Sequence, residues 1–380
     1  MNPEPPENRP SKEQKKVKIF FPNLDGVRAI AAMMVVIAHI EAHKVDFGFG
    51  RFTPLNLVSM GRMGVTLFFV LSGFLITYLL LVERSLQNRI EYRNFYFRRV
   101  LRIWPLYFLV LFTGYFIYPR GMQDTAFILS VFLMPNVAFI IGLPSVIDPI
   151  WSIGVEEQFY LIQPHLLRIK KTKTVVIVLA ILLLVFYLIK IGLILWKQQG
   201  ATVHFLRLLM YYSPFDNMLL GSLSALFFFK EEKSGFKRTA IARMVFHKNV
   251  QLITYFVFIG YIVAALIYPK IMAPELLAVM TAIIILNLCK PDTSIVALQN
   301  KGFSYIGKIS YGVYLLHKLP LFIILFISRK YLSLSSPALV NAVIYSFTII
   351  FTIVIAGLSY KYYESYFLKI KQRFAKIEKA

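Results

Sequence analysis

The chain has 380 residues, of which 58% are hydrophobic and only 16% are charged. A soluble globular protein has about 25% charged residues, and a charge in the hydrocarbon of a bilayer costs several kcal/mol. This composition therefore excludes a soluble globular protein and indicates a protein embedded in lipid. The net charge of +23 does not indicate nucleic acid binding, because the basic residues cluster between apolar runs. The single cysteine, Cys289, excludes an internal disulfide and a CxxC metal site.

The chain begins with a polar, proline-rich stretch, and apolar runs follow it. Residues 1–20 are predicted to be a disordered cytoplasmic tail, not a cleavable signal. Since a helix crosses the ~30 Å hydrocarbon core in about 20 residues, the runs predict an all-α polytopic bundle of about ten transmembrane helices. The predicted spans are 26–42, 63–82, 103–118, 151–167, 174–196, 211–229, 250–268, 272–290, 304–327 and 338–360.

The run 127–142 is short and is followed closely by Pro144, so it is predicted to be a re-entrant or half-buried segment. The basic residues support this choice. With the N-terminus inside and 127–142 excluded, most of the 42 Lys and Arg residues fall in cytoplasmic segments, as the positive-inside rule requires. Both termini are therefore predicted to be cytoplasmic, and 365–380 is predicted to be a basic cytoplasmic tail.

The first predicted span carries two ionisable residues, Arg28 and His39. Their spacing is about three helical turns, so they share one face and lie roughly 16 Å apart along the axis. Ionisable residues inside a span are functional candidates by default. An anion anchor and an acid–base group on one stripe would suit an active site that runs through the membrane. The alternative is a positive-inside anchor and a histidine that pairs with a neighbouring helix.

A basic cluster precedes the third span. Arg98 and Arg102 are four residues apart on one helical face, and Arg99 lies beside Arg98. Three guanidinium groups at the cytoplasmic surface could bind phosphates through bidentate hydrogen bonds. A simple topology signal is the alternative.

The fourth span carries two adjacent carboxylates, Glu156 and Glu157, in an otherwise apolar helix. Adjacent residues point about 100° apart, so at most one faces a given partner. One of them could pair with an arginine or orient His39 as in an Asp–His pair. A buried structural ion pair is the alternative.

Two further segments carry polar residues. In the ninth span Tyr311, Tyr314 and His317 recur every third residue and could line a polar cavity for sugar hydroxyls, or simply pack as aromatic residues. In the second span, small residues allow close helix packing. They are Gly61, Gly64, Ser72 and Gly73. Arg62 in the same segment is a candidate for an outer cavity.

Taken together, these segments resemble the membrane-bound acyltransferase family 3, whose members O-acylate polysaccharides, O-antigens and related glycans. The resemblance covers residues 21 to about 320, and the segments occur in the order of the family motifs. The matching segments are LDGVRAIAAMMVVIAHI with its R-x10-H arrangement, GVTLFFVLSGFLI, FYFRRVLRIWPLY, WSIGVEEQFYLIQP and ISYGVYLLH. Many members carry a C-terminal hydrolase-like domain, so this chain is expected to be the stand-alone form.

The resemblance implies a membrane acyltransferase domain over 21–364 in the inner membrane. Its donor would be a cytoplasmic acyl-CoA, with acetyl-CoA expected, and it would hold no permanent cofactor. Its acceptor would be a carbohydrate or glycolipid hydroxyl presented from outside. The implied catalytic residues are His39 and Arg28, with Glu156 or Glu157 holding the imidazole. Arg98, Arg99 and Arg102 would bind the donor. Acceptor contacts are expected at Trp151, Ser152, Tyr311, Tyr314 and His317.

Two other classes of function fit parts of the pattern. A secondary transporter of a small polar or lipid-linked substrate would also have ionisable residues near the midplane and helices interrupted by glycine. A non-catalytic assembly subunit is the other alternative. The one-sided arginine cluster and the lack of an inverted repeat favour the enzyme.

Overall fold

A computed structural model describes residues 17–379 except 20, 118–120, 144, 146, 197–199, 237–238, 333–335 and 375–376. The structure is helical almost throughout this part of the chain. The α-helices of the described residues are α1 (Pro22–Asp46), α2 (Ser59–Gln87), α3 (Tyr92–Ile117), α4 (Asp124–Val131), α5 (Pro135–Ile140), α6 (Ile150–Leu166), α7 (Thr172–Leu195), α8 (Ala201–Tyr212), α9 (Phe215–Lys233), α10 (Ala240–Val245), α11 (Lys248–Ile267), α12 (Pro274–Leu288), α13 (Lys301–Leu316), α14 (Lys318–Tyr331), α15 (Pro337–Ser359) and α16 (Ser365–Gln372).

Short elements complete the description. A 3₁₀ turn covers Pro269–Ile271, and a π-helical turn, Tyr360–Glu364, joins α15 to α16 without a break. Strands β1 (Val17–Ile19) and β2 (Ile377–Lys379) pair in parallel. The rest of the predicted N-terminal tail lies outside the described residues. At the other end, the predicted tail 365–380 begins as a helix that continues α15 and packs on α3.

Six helices of the described chain are long and apolar enough to cross a membrane, or seven if the bent pair α13–α14 is one span. The predicted count of ten is not confirmed, although a helix lies at every predicted span. Helices α6 and α12 have only 17 and 15 residues, and α9 carries several charged residues. The segment 127–142 forms the short helices α4 and α5, neither of which is long enough to span.

The buried centre of the bundle consists of α1, α2, α9 and α13. In their most apolar windows α1 and α2 are 67% and 78% buried, whereas α7 and α11 are 11% and 17% buried and form the periphery. The centre therefore contains three of the helices that carry polar motifs, α1, α2 and α13, while the peripheral helices α7 and α11 are largely apolar, as lipid-facing helices should be.

Glycines bring the central helices into backbone contact. A Cβ atom at Gly64 would lie 2.5 Å from the Ala31 carbonyl oxygen of α1. A Cβ atom at Gly73 would lie 2.1 Å from the Met218 oxygen of α9. The prediction of close packing is therefore confirmed for the glycines, in line with the small-residue interfaces of membrane helices. Ser72 instead donates a hydrogen bond to Glu156.

Gly221 of α9 provides a test of this packing. Its Cβ would lie 2.1 Å from the Val70 oxygen of α2, so Gly221→Ala must push the helices apart. We expect a loss of about 1–3 kcal/mol, which is typical of overpacked cores, measured as a lower unfolding temperature in detergent. Gly192→Ala in α7 is the matched control, because no atom lies within 4 Å of that Cβ position. Equal stability of the two variants would contradict the packing argument.

The predicted ninth span, 304–327, is not one straight helix. Helices α13 and α14 meet at His317 with a bend of 62°. Pro320 explains the break, because a proline has no N–H to donate and its ring clashes with the carbonyl four residues earlier. The bend places His317 at the joint, where it is buried and packed against α1.

Candidate active site

A cavity of about 750 Å³, lined by apolar and cationic side chains, opens between α1, α2, α3, α6 and α13. This volume lies within the range of small-molecule sites. Its wall holds four of the five arginines singled out in the sequence, all except Arg62, together with two lysines that the sequence analysis missed. The cationic residues lining it are Arg28, Arg98, Arg99, Arg102, Lys308 and Lys371. Lys371 comes from α16 and so from the segment that was predicted to be a simple tail.

Most of these cations already have a protein partner. Arg28 donates to Asp25 at 2.5 Å. Arg98 donates to Glu83 at 2.7 Å and to the Phe374 carbonyl oxygen at 3.0 Å. Arg102 lies 3.8 Å from a carboxylate oxygen of the π-helical turn, that of Glu364. These contacts fix the guanidinium groups around the cavity before any ligand binds.

Arg99 differs from its neighbours. Its guanidinium carbon lies 5.8 Å from the centre of the Tyr160 ring. Its Nε atom is buried and has no hydrogen-bond partner among the described residues. A buried charged donor without a partner is costly, so this guanidinium is the one best placed to gain from an anionic ligand.

The two adjacent glutamates point to different neighbours, as helix geometry predicted. Glu156 lines the cavity and accepts from Ser72 Oγ at 2.7 Å. Glu157 is buried and accepts from Trp104 Nε1 at 2.8 Å. Neither carboxylate contacts His39, so the expectation that one of them orients this imidazole does not hold. Both accept hydrogen bonds from other helices instead, Glu156 from α2 and Glu157 from α3.

His39 instead pairs with His317. His39 Nδ1 and His317 Nε2 are 2.7 Å apart, and the two rings are nearly parallel at an interplanar angle of 16°. His317 was expected to contact sugar hydroxyls, but it is fully buried against α1. Sequence position could not reveal this contact, because it joins α1 to the end of α13 across 278 positions.

The backbone fixes the protonation pattern of this pair. His317 Nδ1 lies 2.8 Å from the Tyr314 carbonyl oxygen. A carbonyl can only accept, so this nitrogen carries the proton, and His317 Nε2 of the neutral ring must accept. His39 Nδ1 then donates, and His39 Nε2 is left with an unshared electron pair. The geometry thus assigns the basic nitrogen of His39.

A carboxylate faces that nitrogen, and an ammonium group pairs with the carboxylate. His39 Nε2 lies 3.9 Å from Asp148 Oδ2, and Asp148 Oδ1 is 2.6 Å from Lys318 Nζ. Sequence analysis assigned no role to either residue. Lys318 could have been found, because a lysine within a predicted span is itself a functional signal. Asp148 lies in a connection without any pattern to mark it.

The remaining predicted acceptor contacts divide between two places. Tyr311, Tyr314 and Ser152 line the arginine cavity. Tyr314 and Ser152 share a hydrogen bond of 2.7 Å. Trp151 is not part of that wall and lies against Phe69, at 6.0 Å between ring centres.

The cavity does not reach the histidine pair in this structure. Among the described residues its lining includes Tyr314, whose backbone oxygen contacts His317, but neither His317 nor His39. The sequence suggested an active site that runs from the arginines to His39. In the structure the cavity ends at Tyr314 and Ser152. No group of three His, Cys, Asp or Glu side chains that could hold a metal ion occurs in the described part of the chain.

Comparison with known proteins defines the class. The family model described as an acyltransferase domain matches residues 21–361, which is most of the chain. The protein therefore belongs to this acyltransferase family, as the sequence motifs indicated, and its class of enzyme is that of an acyltransferase.

Two similar proteins carry more specific names. The chain is 26% identical to the "Putative peptidoglycan O-acetyltransferase YrhL" of Bacillus subtilis, over 91% of this chain and 54% of that protein. It is 25% identical to the peptidoglycan O-acetyltransferase OatA of Listeria monocytogenes, over 91% of this chain and 55% of that protein. The chain thus spans about half the length of the curated relatives it matches. No solved structure matches it significantly.

Proposed function

We propose that this protein transfers an acetyl group from cytoplasmic acetyl-CoA to a hydroxyl of a cell-surface or exported carbohydrate, with the cell-wall glycan strand as the favoured acceptor. The names of the relatives support an O-acetyl product on a peptidoglycan. Membership of the acyltransferase family favours this function over the transporter alternative. The main observation behind this proposal is the His39–His317 pair, which leaves His39 Nε2 free to take a proton.

The arginine cavity is the proposed donor site. Acetyl-CoA carries a diphosphate and a 3′-phosphate, and guanidinium groups bind such oxygens through paired hydrogen bonds. The cations of the cavity wall supply the matching charge. They lie in segments that the positive-inside rule assigns to the cytoplasm. The proposed topology therefore keeps about ten membrane crossings, some by short helices such as α6 and α12, with both termini cytoplasmic, in the cytoplasmic (inner) membrane.

His39 is the proposed general base. Its Nε2 accepts the proton of the acceptor hydroxyl, the hydroxyl oxygen attacks the thioester carbonyl, and the carbon–sulfur bond then breaks. The departing thiolate of CoA takes the proton back, so protons and electrons balance. While His39 is charged, the Asp148 carboxylate 3.9 Å away stabilises the imidazolium. Arg28 positions the donor at the far end of the same helical face.

The thioester can reach His39 only if the closed end of the cavity opens. The barrier is the hydrogen-bonded pair of Ser152 and Tyr314. Breaking a single neutral hydrogen bond costs about 1 kcal/mol, which thermal motion supplies readily. We therefore propose that donor binding displaces this pair and connects the arginine cavity to His39.

Reconstitution with a defined donor tests the function. Purified protein in vesicles is given acetyl-CoA labelled in the acetyl group and peptidoglycan glycan strands on the opposite side. We expect base-labile acetyl esters on the strands, detected by mass spectrometry. Unmodified strands from a folded protein that also leaves acetyl-CoA intact would contradict the proposal. Labelled protein trapped without acceptor would instead indicate an acyl-histidine intermediate.

Asp148→Asn tests the role of the carboxylate. The amide keeps the shape but cannot stabilise the imidazolium, so we expect kcat to fall about 10- to 100-fold with little change in KM for acetyl-CoA. Asp46→Asn is the control, since its exposed carboxylate contacts His43 instead. An unchanged kcat in Asp148→Asn would exclude the residue from the mechanism.

A further inference from the structure

A cluster of aromatic side chains surrounds Arg62 at the N-terminal end of α2. The Arg62 guanidinium lies 3.8 Å from the centre of the Tyr211 ring and 6.0 Å from that of Trp151. Tyr212 meets Trp151 edge to face at 5.4 Å and Tyr211 at 4.9 Å. We name this group, made of Arg62, Trp151, Tyr211 and Tyr212, the aromatic platform.

Along α1, the platform lies level with His39 and not with the Arg28 end of the arginine cavity. α1 and α2 run antiparallel, with Gly61 facing Ala38, so Arg62 lies at the level of His39 and away from Arg28. The backbone N–H of Trp151 donates to the Asp148 carbonyl oxygen at 3.1 Å. The residue whose carboxylate faces His39 Nε2 is thus joined directly to the platform.

The platform is open and rigid. The Tyr211 ring is 49% exposed, and Arg62, Trp151 and Tyr212 are half-buried. Ser213, next to Tyr212, is buried and accepts from Asn136 Nδ2 at 3.2 Å. Arg62 Nη1 donates to the Tyr211 carbonyl oxygen at 2.8 Å. These bonds hold the rings in place before a ligand arrives, so little ordering entropy is lost on binding.

We propose that the aromatic platform binds the acceptor glycan and directs one of its hydroxyls to His39 Nε2. The proposal rests on the acyltransferase function above and adds the site of the second substrate. A pyranose ring has an apolar face of C–H groups that packs on an exposed aromatic ring, and its hydroxyls accept from guanidinium N–H groups. Rings at several angles beside one arginine offer both kinds of contact within one ligand.

A binding measurement tests this without relying on catalysis. The probe is the water-soluble β-1,4-linked pentamer of N-acetylglucosamine, titrated into the full-length protein in nanodiscs. We expect Tyr211→Ala and Arg62→Gln each to weaken binding of the pentamer about tenfold, equivalent to about 1.4 kcal/mol. Basal hydrolysis of acetyl-CoA without acceptor should stay unchanged, because neither residue touches the arginine cavity.

The control is Tyr268→Ala, which removes a tyrosine that is more exposed than Tyr211 and lies beyond the end of α11. Tyr211→Ala keeps the test valid if Arg62→Gln fails to fold, since it removes an exposed ring. Failure of the wild-type protein to bind the pentamer, or equal binding by all variants, would overturn the platform even if acetyl-CoA is still turned over. Platform-dependent binding without donor turnover would leave the platform standing and remove the proposed reaction. Variants that are lost from the membrane but keep their affinity for the pentamer would identify the platform as a lipid anchor. That result would also overturn the proposed glycan site.

Discussion

Replacing His39 by alanine should abolish O-acetyl transfer, with an expected loss of about 10³-fold or more in kcat. A positioned general base contributes typically 10²- to 10⁴-fold, and the described contacts leave His39 Nε2 as the unshared imidazole nitrogen of the pair. The measurement is the rate of acetyl ester formation on glycan strands by protein reconstituted at a known amount. Binding of acetyl-CoA should persist, because the arginines that we propose to bind it lie elsewhere.

Alanine also removes the hydrogen bond to His317, so a second variant separates chemistry from structure. His39→Asn retains an N–H near the position of Nδ1 and can still donate to His317, but it has no basic nitrogen. We expect it to be as inactive as alanine and more stable. His43→Ala, one turn further along α1, is the control. Its ring lies 6.0 Å from that of His39, and it should retain most activity. Transfer by His39→Asn at near wild-type rate would remove the general base from the mechanism.

The sequence was most informative where function depends on one helix. Arg28 and His39 lie on the same helix, so the period of the helix alone predicted their shared face and separation. The side chains that contact Arg28 and His39 were harder to predict. Asp25 could be seen as a neighbour of Arg28, but the contact between His39 and His317 depends on how α13 packs and bends. A single sequence contains no information on that packing.

The carboxylates illustrate the same limit. Glu156 and Glu157 were the conspicuous acids inside a span, and the helical angle between them was predicted correctly. The acid that faces His39 is nevertheless Asp148, from the connection before α6. A loop residue has no periodic position, so only the folded chain can bring it to the site. Loops on a rigid scaffold often provide such residues.

The predicted count of ten spans is not confirmed, and this too has a physical reason. Hydropathy predicts helices that face lipid, and it works best for α7 and α11, which are barely buried. Among the helices around the cavity, α1, α2 and α3 are long and apolar enough to span, whereas α6 is too short and α13 bends into α14. Polar side chains and irregular backbone are tolerated in such helices where they are buried in protein.

Replacing Arg99 by glutamine should raise the KM for acetyl-CoA about 10- to 100-fold with a smaller change in kcat. A hydrogen bond to a charged group contributes about 1.5–3 kcal/mol, and the Arg99 guanidinium has an unpaired buried Nε atom among the described residues. Arg99→Lys should recover only part of the loss, since an ammonium group keeps the charge but not the planar fork. Arg93→Gln is the control, because that arginine is exposed on the same helix.

Acetyl-3′-dephospho-CoA shows which phosphate Arg99 holds. If Arg99 binds the 3′-phosphate, the wild-type protein should prefer the complete donor, and Arg99→Gln should lose that preference. If it binds the diphosphate, the variant should weaken both donors equally and keep the preference. Arg98 is less suitable for this test, because its replacement would also remove the ion pair with the buried Glu83 carboxylate. An unchanged KM for both donors in Arg99→Gln would mean that the phosphates lie outside the cavity and that the donor enters by another route.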